Sequence, residues 1–209
     1  MKEQLKSQGY NNIEVIPNCK ELDILDAKTI KYTGIKPYRL CTFSRVTKEK
    51  GIEELFYAVR RLKEENEDFV LDLAGFFEDI YKKQVEELEQ LGIAHFYGFQ
   101  SDPRPFYTEA DCVVLPSYHE GMSNVLLEAA ATGRPVITSN IPGCRESVEN
   151  GKSGLLVEAK NKEMLYQAMK KMLHCSREER EKMGKAGREK MKREFRKEAV
   201  VERTVRSLE

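Results

Sequence analysis

What most limits the folds open to this chain is a series of short apolar runs that do not alternate. Phe69-Val70-Leu71-Asp72-Leu73-Ala74-Gly75, Cys112-Val113-Val114-Leu115 and Val136-Ile137-Thr138-Ser139 carry apolar or small residues at nearly every position. A strand with one wet face alternates polar and apolar residues. A strand covered on both faces does not, and double coverage is the rule for parallel sheets. The segments between the runs have helical period instead. Gly51 to Glu65 places Ile52, Leu55, Phe56, Val59 and Leu62 on one helical stripe.

Read along its length, the chain predicts strands at 13–18, 39–44, 69–75, 93–99, 111–117, 136–139 and 154–157. Helices are expected at 51–65, 80–91, 105–110, 124–132, 144–149, 161–174 and 176–206, with a connecting loop at 19–36. Strands alternating with helices specify an α/β fold, a doubly wound parallel sheet of about six strands followed by a long C-terminal helical tail. The expected divisions are a helical or disordered lead-in at 1–12, the sheet domain at 13–175 and the tail at 176–209.

Charge and cysteine usage remove several classes of function. Lys plus Arg and Asp plus Glu number 35 each, so no global charge draws the protein to nucleic acid. Cysteines 19, 41, 112, 144 and 175 are odd in number and lack Cys-x-x-Cys spacing, so neither a disulfide framework nor a zinc site is expected. Cys41 and Cys112 read as buried small hydrophobes, and a reducing cytoplasm fits. His95 is expected to be packed in its strand and His174 to lie at the surface; His119, beside Glu120, has a plausible place in a site. Between Ser176 and Arg206 there are 12 Lys or Arg against 7 Glu, an excess of 12 − 7 = 5. Such a run reads as a solvated helical face, or as a helix that meets another domain or an anionic membrane surface.

Three loops follow predicted strands and should converge on the carboxyl edge of the sheet, where ligands of open α/β sheets bind. Ser44-Arg45-Val46-Thr47-Lys48-Glu49-Lys50-Gly51 puts Arg45 and Lys50 ahead of a helix N-terminus, an arrangement that suits a diphosphate. In Tyr97-Gly98-Phe99-Gln100-Ser101, the glycine lets a flat ring approach and Phe99 can stack on it. Leu115-Pro116-Ser117-Tyr118-His119-Glu120-Gly121-Met122-Ser123-Asn124 brings Glu120 into the loop, and the helix capped by Ser123 or Asn124 carries Glu128. A phosphate clamp, a base slot and carboxylates for sugar hydroxyls together describe a nucleotide-sugar site. The chain has no Walker A pattern, no Gly-x-Gly-x-x-Gly and no Gly-x-Ser-x-Gly. It also has no Asp-x-Asp metal clamp, so no metal cofactor is expected and the diphosphate must be met by Arg, Lys and a helix end.

The stretch from Glu120 through Gly121, Met122, Ser123 and Asn124 to Glu128 and Ala129 resembles the Glu-x7-Glu signature of retaining glycosyltransferases of the family 4 type. Ser44-Arg45 with Lys50-Gly51, Ala110-Asp111 with Leu115-Pro116-Ser117, Gly133-Arg134-Pro135-Val136-Ile137 and Gly151-Lys152-Ser153-Gly154-Leu155-Leu156-Val157 also resemble the family in order and spacing. The resemblance implies a Rossmann-like domain that is one half of a GT-B fold, the C-terminal, donor-binding half. It further implies that Arg45 and Lys50 bind the donor diphosphate and stabilise it on departure. Glu120 would hold sugar hydroxyls, Gly121, Met122, Ser123 and Asn124 would offer backbone N–H groups, and Glu128 would bind the ribose. Backbone near Phe99 and Gln100 would receive the base. UDP is the commonest carrier in the family, and surface-polysaccharide or glycolipid assembly a common setting.

Two departures stand out: Asn18 is followed by Cys19-Lys20-Glu21 rather than Gly-Val-Asp, and Ser44 replaces the usual glycine. The N-terminal acceptor-binding domain of the family has no counterpart in this sequence and is expected from a longer protein or a partner chain. The chain alone should therefore bind nucleotide and transfer sugar poorly. A cytoplasmic location, at or near the inner face of the membrane with peripheral contact through the tail, fits the same expectation. A stand-alone nucleotide-sugar binding module and an epimerase relative are the alternatives; an epimerase would alter the sugar with no acceptor present.

Overall fold

The computed structural model of the protein describes residues 6–9 and 37–206. The expected strand at 13–18, the loop at 19–36 and Cys19 lie outside the described residues. Six strands form one sheet: β1 (Tyr38–Phe43), β2 (Phe69–Ala74), β3 (Ala94–Phe96), β4 (Cys112–Leu115), β5 (Val136–Ser139) and β6 (Gly154–Val157). Their order is β3-β2-β1-β4-β5-β6, and every neighbouring pair is parallel. Double coverage accounts for the unalternated runs, since every residue of β2, β4 and β5 is buried.

The helices are α1 (Ile52–Glu64), α2 (Lys82–Gln90), α3 (Arg104–Glu109), α4 (Asn124–Ala131), α5 (Lys162–His174), α6 (Arg177–Glu194) and α7 (Lys197–Arg206). α1, α2 and α5 cover one face of the sheet. Leu40, Leu71, Leu73, Val114 and Ile137 point there and meet the stripe of α1. Each fully buried side chain of that stripe contributes about 1.5–3 kcal/mol of burial. α3 and α4 cover the opposite face, over Cys41, Val113, Leu115 and Val136. α6 forms an outer layer on α4, where Met191 and Phe195 close over Leu127, Ala130 and Ala131. Gly187 faces Ala130 in this layer, where a Cβ would make an ordinary contact at 3.6 Å.

The structure corrects several sequence readings. β3 ends at Phe96 rather than 99, because Gly98 turns the chain at φ +65° and sends Gln100 back to the Tyr97 carbonyl at 2.8 Å. His95 is exposed, not packed, because it lies on the edge strand. The expected helix at 80–91 begins as a 3-10 turn, Asp79–Tyr81, and the piece at 144–149 is a 3-10 turn, Arg145–Ser147. The expected helix at 176–206 is two helices. Phe195 buries its ring under α6, and the chain leaves helical geometry there, at φ −125°. Cys41 and Cys112 are buried and His174 is exposed, as read. No helix among the described residues is long and apolar enough to cross a membrane.

Sheet order reverses between β1 and β4. The chain leaving β1 turns to one face and the chain leaving β4 to the other, and a crevice opens between their loops.

Candidate functional site

The two loops at this crevice are locked together by backbone. The β1 loop ends in a 3-10 turn, Lys48–Lys50, closed by Gly51 at φ +70°. A Cβ on Gly51 would stand 2.1 Å from the Pro116 carbonyl oxygen, so only glycine lets the loops approach this closely. Tyr118 adds a second tie. Its N–H donates to the Glu49 carbonyl at 2.8 Å, and its hydroxyl reaches the Glu54 carboxylate at 2.6 and 2.7 Å. Burial first, and the Glu54 carboxylate second, raise the Tyr118 phenol well above its ordinary range, so it stays a donor.

Within this frame Lys50 Nζ donates to Glu120 Oε1 at 2.6 Å, and Ser117 Oγ donates to the same oxygen at 2.9 Å. Both side chains are largely enclosed, with 17% of Lys50 and 14% of Glu120 exposed. Glu120 Oε2 makes no hydrogen bond among the described residues. Two residues 70 positions apart in sequence thus form the centre of the crevice. Arg45, on the same loop as Lys50, is exposed and makes no ion pair among the described residues. His119 is exposed beside the pair. Cys144 is near enough to feel both charges, but burial pushes its thiol up to about 11. At neutral pH it holds its proton and is no nucleophile.

The segment leading into α4 is fixed from the β5 side. Gly143, at φ +89°, approaches so closely that a Cβ would lie 2.0 Å from the Gly121 carbonyl oxygen. Its own carbonyl accepts from Ser123 N–H at 3.0 Å, so that amide is engaged within the protein. Gly143 N–H donates to Glu146 at 2.8 Å. Ser123 is the N-cap of α4 and its side chain makes no capping bond, which leaves the first-turn amides without a side-chain acceptor. Gly121 and Asn124 are exposed there, and Met122 packs on the α4–α6 layer.

Glu128 lies one turn further into α4, and the hydroxyl of the fully buried Tyr107 donates to it at 3.3 Å. Burial holds the Tyr107 phenol well above its usual range. Tyr107 is placed in turn by Arg134, which is 1% exposed and donates to the carbonyls of Tyr107, at 2.7 Å, and of Thr108. Phe99 and Gln100 are not beside Lys50. They follow β3, two strands or about 10 Å from β1 across the sheet. Phe99 is 59% exposed and stacks on Phe76, 61% exposed, with ring centroids 4.7 Å apart and planes 9° apart. Phe43, Phe106 and Tyr97 run edge to face between these positions, at 5.6 and 5.1 Å.

The structure therefore brings Lys50, Glu120 and the Gly121–Asn124 turn together. It sets Glu128 behind them and places Phe99 and Gln100 at the far end of the same edge. Ser117, Tyr118, Tyr107, Gly143 and Phe76 were given no role from the sequence. Ser117 had a signal there, in the Leu115-Pro116-Ser117 motif, and so had Phe76, as an aromatic next to a glycine after a strand. Among the described residues no group of three or more His, Cys, Asp or Glu could hold a metal ion.

This architecture has known counterparts. The C-terminal domain of a glycosyl transferase group 1 family protein, LpcC from Francisella tularensis, superposes with TM-score 0.67 at 23% identity, over 87% of this chain and 95% of that one. Anabaena HepE, solved in complex with UDP and glucose, superposes with TM-score 0.77 at 20% identity, over 93% of this chain and 56% of that one. In sequence, the capsular polysaccharide biosynthesis glycosyltransferase CapM of Staphylococcus aureus is 28% identical over 163 residues, 76% of this chain and 42% of CapM. This chain spans less than half the length of the first curated relatives it matches. The family profile described as glycosyl transferases group 1 matches residues 28–190, the stretch that includes every loop at the crevice. The fold, the crevice at the sheet reversal and that match lead to one assignment: the chain belongs to the group 1 glycosyltransferases.

Proposed function

We propose that this chain is the donor-binding half of a retaining glycosyltransferase, that it takes a UDP-sugar, and that it serves surface-polysaccharide or glycolipid assembly. The observation that carries the reading is the Lys50–Glu120 pair at the sheet reversal, a cation for phosphate next to a carboxylate with one unoccupied oxygen. HepE is described in complex with UDP and glucose, and CapM acts in capsular polysaccharide biosynthesis. These names support the carrier and the setting.

In this reading Arg45, Lys50 and the uncapped first turn of α4 receive the diphosphate. Glu120 holds donor-sugar hydroxyls, and Gly121, Met122 and Asn124 frame the sugar through their backbone. Ser123 contributes by holding the turn against Gly143. Glu128, set by Tyr107, takes the ribose hydroxyls, and the base lies by Phe99 and Gln100. Cleavage of the glycosidic bond places its electron pair on the departing diphosphate. Preorganised cations and helix amides aimed at that developing charge lower the barrier. They do so without a metal. The acceptor wall belongs to a domain outside this sequence, on the same protein or a partner. The basic faces of α6 and α7 contact that domain or a membrane surface on the cytoplasmic side. No nucleic acid is involved.

Calorimetry with UDP, GDP and ADP tests the reading. UDP is expected to bind, and the absence of heat with all three sinks the donor-domain proposal. Efficient sugar transfer by this chain alone would sink the half-enzyme part of it.

A further inference from the structure

We infer that the Lys50–Glu120 pair makes the site select the intact nucleotide sugar over the free nucleoside diphosphate that remains after transfer, with Glu120 as the specificity-determining residue. The inference rests on the donor-binding reading above and adds to it a reason for product release.

The two oxygens of Glu120 are held differently. Oε1 takes two donors, Lys50 Nζ at 2.6 Å and Ser117 Oγ at 2.9 Å, while Oε2 has no partner among the described residues. The carboxylate is 14% exposed, so removing its cation leaves a charge that water compensates poorly. Lys50 is also, with Arg45, one of the two cations that the donor-binding reading gives to the diphosphate. The loops that carry the two residues cannot separate to relieve the conflict. Gly51 is packed on Pro116, Gly143 on Gly121, and Tyr118 is tied to both Glu49 and Glu54.

A free nucleoside diphosphate must therefore draw Lys50 away from Glu120, or share it, while bringing its own negative charge toward a carboxylate losing its cation. Both effects weaken binding. The sugar ester of the same nucleotide carries less negative charge on its terminal phosphate. It also brings hydroxyl donors that can replace Lys50 on Oε1 and occupy Oε2. The same carboxylate thus opposes the product and favours the donor, and specificity is the difference between these two affinities.

The test is calorimetry on the full chain. The ligands are UDP and its glucose, galactose, N-acetylglucosamine and N-acetylgalactosamine esters, with GDP and ADP and their sugar esters as alternatives if UDP does not bind. Wild-type protein is expected to bind at least one ester more tightly than its free diphosphate. Glu120→Gln is expected to bind the free diphosphate about fivefold more tightly than wild type and the preferred ester no more tightly, so that discrimination collapses. Glu120→Ala, which also removes the charge, should shift both affinities in the same directions. The inference is overturned if wild type prefers the free diphosphate to every ester. It is equally overturned if removing the carboxylate tightens neither ligand, or tightens both alike. Each of these results leaves the donor reading standing. That reading fails separately, and takes this inference with it, if wild type binds none of the nucleotides.

Discussion

Lys50 and Arg134 are both enclosed cations, Lys50 at the carboxyl edge of the sheet and Arg134 just before β5 at the amino edge, and they differ in what they hold. Arg134 is 1% exposed and donates to two main-chain carbonyls, those of Tyr107 and Thr108. A carbonyl of a packed helix has no alternative state, so this guanidinium is a permanent fastener. Lys50 instead meets the carboxylate of a residue with one vacant oxygen, at the mouth of a crevice. That partner can be exchanged for an incoming anion. Arg180, 1% exposed, stacks 4.2 Å from the Tyr38 ring, donates to the Cys175 carbonyl at 3.1 Å and lies 3.9 Å from the Asp111 carboxylate, which is itself held by the Arg39 N–H away from the crevice, so it too is a fastener. Burial of a cation alone does not mark a site; an exchangeable partner does.

The strongest way to break this contrast is Arg134→Met. It strands two carbonyls in the α3–α4 layer and is expected to lower stability by about 3 kcal/mol. Urea unfolding measures the loss, and nucleotide affinity at low denaturant should fall far less. A variant of normal stability that no longer bound nucleotide would place Arg134 in the site and undo the distinction.

Lys50→Met is the converse. Stability should fall by less than in Arg134→Met, because the enclosed Glu120 carboxylate loses its cation but keeps the Ser117 donor. Affinity for UDP should fall by about 1–3 kcal/mol, roughly fivefold to a hundredfold, as expected for a charge-assisted contact. Unchanged UDP affinity would show that the cation facing the diphosphate lies elsewhere on the crevice. Arg45, exposed on the same loop, would be the next residue to test.

These two cations also show how far the sequence could be read. The layered α/β architecture was legible because short unalternated apolar runs suit few folds besides a sheet covered on both faces, and β2, β4 and β5 are buried throughout. Arg45, Lys50, Glu120 and Glu128 were legible as charged residues after strands. That Lys50 touches Glu120 was not, since the contact depends on β1 pairing with β4, a property of strand order. The role of Arg134 was hidden because one arginine in a turn after a helix carries no pattern. α6 carried no apolar stripe in the sequence because its buried residues are Gly184, Gly187, Met191, Arg180 and Lys190. Small and long charged side chains make no apolar stripe, though they pack well.

Tyr107→Phe sharpens the contrast on a smaller scale. The hydroxyl is the link by which the Arg134 fastener reaches the site, through Glu128 at 3.3 Å. Removing it should weaken UDP binding by about 1 kcal/mol and leave Lys50-dependent binding otherwise intact. An effect as large as that of Lys50→Met would mean that Glu128, not the phosphate contact, dominates nucleotide affinity.

The smallest expected effect is that of EDTA on UDP binding. The proposed counter-charge is protein: Arg45, Lys50 and the first turn of α4, whose N-cap Ser123 makes no side-chain bond. Among the described residues no group of three or more His, Cys, Asp or Glu could hold a metal ion beside them. Glu120, the carboxylate at the crevice, already has Lys50 as its counter-charge, so chelation should change the UDP dissociation constant by less than about twofold. The measurement is informative in the Lys50→Met background as well. If Lys50 is the exchangeable cation, added magnesium should restore its loss at most in part, since Glu120 would offer the ion a single carboxylate near the vacated position. Full rescue would mean that a metal–nucleotide complex can replace the side chain, and that the contrast between Lys50 and Arg134 concerns loop packing rather than phosphate recognition.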